Sequence, residues 1–155
     1  MAKYITPTLT ITSNKFSATS NPGPTSSPIN ISVSDLLDVT QVDSNIVTVA
    51  TTDAILFDAS SYTSGTTAGT DGAFIFLRNL TEGLTTTANI FIGHNPTGDG
   101  EMEDTGAADE DRLMTLKPGE FAFFPWDLEA DIHVDASAAV DDALEAIVFV
   151  RTGTA

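Results

Sequence analysis

From residue 29 to residue 34 the chain alternates strictly, with Ile29, Ile31 and Val33 apolar and Asn30, Ser32 and Ser34 polar. A period of two gives an extended strand one face to bury and one to leave in solvent. Ile5, Leu9 and Ile11 stand among threonines in the same manner, although Pro7 confines that segment to an edge strand or a bulge. Short apolar runs at 46–50, 54–57, 73–80, 88–93, 112–116, 120–124, 131–134 and 143–151 complete a set of nine or ten candidate strands. They are rich in Val, Ile and Phe and are separated by Gly, Ser, Thr and Asp turns. Such spacing predicts an all-β fold, an antiparallel β-sandwich of jelly-roll-like form, rather than a parallel α/β fold. Residues 137–146 have one helical spacing, Val140 with Leu144, but lead into the β-branched and aromatic Ile147-Val148-Phe149-Val150. They are therefore read as a loop entering a strand.

Asn21-Pro22-Gly23-Pro24-Thr25-Ser26-Ser27-Pro28 excludes a helix or a central strand, because proline lacks an N–H and disfavours helix before it. It divides an N-terminal strand or extended arm with its Pro-rich loop, 1–28, from a sandwich at 29–155 within one domain overall. A free arm of residues 1–20 is expected to add a strand to a neighbour's sheet edge. No repeat of 20 to 50 residues recurs, which argues against a solenoid or propeller.

Composition narrows the function. The 155 residues include no Cys, so disulfides, thiolate nucleophiles and Cys-bound zinc are excluded. The opening residues lack a secretory profile, and no apolar run approaches the roughly 20 residues of a membrane span. The net charge of −16 is uneven: residues 1–98 carry seven acids and three bases (−4), residues 99–155 fifteen acids and three bases (−12). That field repels phosphate backbones and anionic lipids, so neither nucleic acid nor membrane is an expected partner.

Candidate chemistry is sparse, and the chain is not expected to be an enzyme. His94 and His133 are the two histidines, both in or beside predicted strands, and no G-x-S-x-G elbow accompanies them. They are read as strand-surface or turn residues. The Gly-rich 64–72 segment lacks the Lys of a phosphate loop. Asp99, Glu101, Glu103 and Glu110 fall at relative positions 1, 3, 5 and 12 of a calcium loop, but Asp104 stands where the sharp turn needs Gly. The expectation there is a solvated, self-repelling loop, with no metal and no cofactor.

The most distinctive run is Leu116-Lys117-Pro118-Gly119-Glu120-Phe121-Ala122-Phe123-Phe124-Pro125-Trp126. Pro118 and Gly119 suit the centre of a type II turn. Phe121 and Phe123 then face one way and Ala122 and Phe124 the other, so both faces are expected to be covered. Pro125 is expected to end the ladder, and Trp126 to close the edge of the core. With the Thr-rich opening, the Asn21-Pro22-Gly23-Pro24 loop, Phe76-Leu77-Arg78-Asn79 and Ile147-Val148-Phe149, this run resembles small virion structural proteins of marine tailed phages, cyanophages especially. The resemblance implies a β-sandwich carried in many copies on the particle as a capsid decoration or cement protein. The expected partner is then the major capsid protein, assembly is expected in the host cytoplasm, and a homo-oligomer, a trimer, is expected because decoration sits on local three-fold positions. The absence of cysteine and of an export profile fits a particle released by lysis. A tail, neck or fibre-associated component is the alternative within that class. A carbohydrate-binding module, with Trp126, Tyr4 or Tyr62 as its aromatic platform, is the alternative outside it.

Overall fold

The computed structural model describes residues 3–12, 30–34, 37–62, 72–94 and 112–151. The chain divides into two compact units, Met1–Val39 and Thr40–Ala155.

In the first unit, β1 (Lys3–Ile5) pairs antiparallel with β4 (Leu37–Val39), and β2 (Thr8–Thr12) with β3 (Asn30–Ser34). The register is continuous, with Ile5 opposite Leu37 and Thr8 opposite Ser34. Pro7 sits in the interruption between the two ladders, where a residue without an N–H costs no ladder bond. Both N-terminal strands are thus paired within their own unit. Among the described residues, the outer edges of these two-stranded ladders are what remains for strand addition. The Pro-rich 21–28 segment lies outside the described residues.

The second unit is an antiparallel sandwich of two four-stranded sheets, with no α-helix among the described residues. Its strands are β5 (Gln41–Val49), β6 (Ala54–Phe57), β7 (Gly72–Asn79), β8 (Ile90–Gly93), β9 (Arg112–Leu116), β10 (Phe121–Trp126), β11 (Ile132–Ala136) and β12 (Val140–Arg151). One sheet runs β10-β7-β12-β5 and the other β6-β11-β8-β9. The alternation read from sequence decides the core: Ile75, Leu77, Ala146 and Val148 point inward from the first sheet. Ile90, Ile92, Ile132 and Val134 meet them from the second.

Two local departures from expectation have backbone causes. β12 begins at Val140 rather than 143, because a bulge between Val140 and Leu144, with Asp142 at φ +50°, absorbs the extra residues. β10 runs through Pro125 to Trp126 instead of ending at the proline, with Pro125 opposite Phe74. β10 is an edge strand, and there a missing donor is tolerated.

The Pro118-Gly119 turn forms as read. Glu120 N–H donates to the Lys117 carbonyl at 2.9 Å, and Gly119 has φ +81°. It delivers the chain into β10, an edge strand of its sheet.

Candidate functional site

The four strands of the β10-β7-β12-β5 sheet are in register, so their outward side chains form rows. Phe121, Arg78, Glu145 and Ile46 make the first row. Phe123, Phe76, Ile147 and Ser44 make the second, and Pro125, Phe74, Phe149 and Val42 the third. Three consecutive rows of a sheet face are therefore dominated by aromatic and aliphatic groups.

Phe121 is 62% exposed, Ile46 60%, Val42 44% and Phe123 38%. The expectation that both faces of the Phe121–Trp126 strand would be covered is corrected here. Ala122, Phe124 and Trp126 pack on the core, while Phe121 and Phe123 stand on an open face. Whether a second apolar face is covered depends on what lies above the sheet, which alternation within one strand does not encode.

The rings on this face hold one another in place. Phe74 and Phe123 stack with centroids 5.2 Å apart and planes within 10°. Phe76 stacks on Phe121 at 6.3 Å, and Phe149 meets Phe123 edge-on at 6.4 Å. Arg151 lies over the Phe74 ring at 5.5 Å, extending the face beyond its third row. Aromatic pairs of this kind contribute about 0.5–1.5 kcal/mol each beyond area burial, which favours a preformed surface over a set of loose rings. An apolar surface that is rigid before contact loses little side-chain entropy on docking.

The other residues singled out from sequence lie elsewhere. Trp126 is 6% exposed and packs with Phe57 and Tyr62 at centroid distances of 6.1 and 5.8 Å. Its indole N–H donates to the Ala130 carbonyl at 2.9 Å. It closes the core as expected, and it offers no exposed platform to a sugar. Tyr62, half-buried in the same cluster, has its phenol pushed above the usual range, first by burial and then by the charge and hydrogen bond of Asp43 and the charge of Asp58. Pro118 and Gly119 shape the turn that aims Phe121 and Phe123.

His133 departs from the surface position expected of it. It is buried, opposite in direction to Ile132 and Val134, and its Nδ1–H donates to Asp53 Oδ2 at 2.7 Å. The ring of His94 meets it edge-on at 6.4 Å, so the fold does bring the two histidines together. Asp53 lies 80 residues from His133, and nothing in the local sequence of either marks the pair. Among the described residues, no group of three or more His, Asp or Glu side chains is disposed to hold a metal ion. The calcium-loop candidates Asp99, Glu101, Glu103 and Glu110 lie outside the described residues.

A cleft of about 540 Å³ opens at one end of the sandwich, bordered by Gly72, His94, Trp126, Asp131 and Arg151. Its polar groups are engaged in holding loops. Asp131 Oδ1 accepts from Ala59 N–H at 2.8 Å, and the Asp131 carbonyl accepts from His94 Nδ1–H at 3.2 Å. Among the described residues, the phenylalanine-bearing sheet brings the exposed Phe121, Phe123, Ile46 and Val42 onto one surface. No protein-family model, curated protein or solved structure matches this chain.

Proposed function

We propose that this chain is a non-enzymatic structural subunit of a tailed-phage virion, a decoration protein carried in many copies on the head and bound to the major capsid protein. The observation that carries the reading is the exposed face built from Phe121, Phe123, Phe74, Phe76 and Phe149 on an otherwise strongly acidic chain. A surface of that kind is stable in solution when an assembly covers it. The −16 charge disfavours nucleic acid and anionic membranes, and the apolar face favours protein as the class of partner. The likeness of the Leu116-Lys117-Pro118-Gly119 turn and its phenylalanine strand to small virion proteins supplies the particle as the place of assembly.

Add-back tests this reading. Purified chain mixed with heads lacking it is expected to cosediment with them and to raise their resistance to heat or chelator. Binding confined to tails would move the protein to the tail, and no binding to either would overturn the reading.

A further inference from the structure

The outward face of the β10-β7-β12-β5 sheet has a charge layout that fits a copy of itself. Its first row carries Arg78 and Glu145 side by side on β7 and β12, opposite each other in register. At the far end of the same two strands stand Gly72 and Arg151, also opposite each other. Between these ends lie the apolar rows.

We propose that this face is the interface of a two-fold symmetric pair of this chain, packed sheet against sheet. A two-fold axis running across the strands at the level of Val148 sets Glu145 of one copy against Arg151 of the other, and Arg78 against Gly72. An axis running along the strands between β7 and β12 sets Glu145 against Arg78, and Arg151 against Gly72. Either operation therefore gives Glu145 an arginine partner and seats the remaining arginine over a glycine, where no side chain obstructs it. Closed two-fold association is also the commonest symmetry among soluble oligomers, and the pair departs here from the trimer expected from sequence. Twisted sheets meeting this way cross at about 30°, and the central strands β7 and β12 stay in contact under that rotation.

Charge points to a second copy, and area sets how weakly it is held. Two chains of net charge −16 repel over most of their surfaces, whereas this face carries two arginines and one glutamate. It is where two copies approach without like-charge cost. Strands about 4.8 Å apart and side-chain rows about 6.8 Å apart give the two apolar rows between the charged ends a footprint of about 260 Å². With the two charged end rows included, the face comes to about 520 Å², under the lower bound of about 600 Å² per partner for a stable pair. Association at the weak end is expected, with Kd on the order of 10 µM. Salt should strengthen it by screening the acidic remainder of the two chains.

The pair and the capsid contact proposed above draw on the same face and compete for it, but the pair is tested on the isolated full chain, so its failure leaves the virion reading standing. Sedimentation velocity from about 1 to 200 µM spans the expected Kd. The wild type is expected to pass from monomer to dimer across that range. Phe123→Glu, and separately Ile46→Lys on the other side of the same face, are each expected to weaken association at least about thirtyfold. Circular dichroism melts establish that each variant is folded, and two variants on different strands guard against the loss of one. Glu145→Arg is expected to weaken the pair, and adding Arg151→Glu or Arg78→Glu to restore it, the rescuing arginine naming the axis. A wild type that stays monomeric throughout overturns the proposal. So does association that survives Phe123→Glu and Ile46→Lys, since another surface would then be in use. A failure of both rescues overturns the two-fold arrangement.

Discussion

Asn79 Oδ1 accepts two hydrogen bonds from Thr81, one from its backbone N–H at 2.9 Å and one from its hydroxyl at 2.7 Å. The amide nitrogen of Asn79 donates to the carbonyls of Ala88 and Leu116, both at 2.8 Å. Asn79 ends β7 in one sheet and Leu116 ends β9 in the other, so a fully buried side chain ties the two layers together. Asn79→Ala takes one donor from the buried Leu116 carbonyl and leaves the Ala88 carbonyl with the Thr81 hydroxyl, and is expected to cost about 2 kcal/mol in urea unfolding. Asn79→Asp removes the donors and adds a buried charge, and should cost more. A loss below about 1 kcal/mol for both would show that the tie carries little of the stability.

Gly119 and Gly83 share φ +81° but differ in surroundings. A Cβ at Gly119 would run into the Glu82 carboxylate, whereas one at Gly83 meets nothing within 4 Å. Gly83→Ala should therefore show the backbone penalty alone, about 1 kcal/mol. Gly119→Ala should cost slightly more, because the flexible Glu82 side chain must also swing aside. Equal shifts in the denaturation midpoint would place the whole effect in the backbone.

Tyr62 gives the alkaline limb of stability a defined sign. Burial and the neighbouring Asp43 hold its phenol above the ordinary value of 10.0, so the fold favours the protonated ring. The stability this contributes is present below about pH 10 and is lost as pH rises through the higher folded value. Thermal melts between about pH 8 and 11 should show a steeper fall in Tm for the wild type than for Tyr62→Phe. Parallel curves would mean that Tyr62 ionises alike in the folded and unfolded chain.

Core and face should separate cleanly under substitution. Leu77 is fully buried, and Leu77→Ala is expected to cost about 3 kcal/mol. Phe121→Ser acts on an exposed ring and should change the stability of the monomer by under about 1 kcal/mol. Measured at a concentration too low for association, comparable losses at the two positions would mean that Phe121 belongs to the core after all.

Legibility from sequence followed how local each feature is. The strands at 54–57 and 112–116 were readable because each is a short apolar run bounded by turn residues, and β6 and β9 have those bounds. β4 was missed, since Leu37–Val39 is three residues long with Asp38 at its centre and carries no period to detect. The early start of β12 was hidden by the bulge at Asp142, which breaks the alternation that marks a strand. Phe121 and Phe123 were picked out, yet the openness of their face was not, because it is decided by what fails to cover the sheet. The Asn79 tie and the Asp53–His133 pair join residues far apart in the chain, and no local pattern announces either.

Mass spectrometry together with electron microscopy of purified phage particles carrying this chain tests the central proposal most directly. The expected result is this chain in high copy number and density for its sandwich distributed over the whole head. Absence of the chain from purified particles would contradict it.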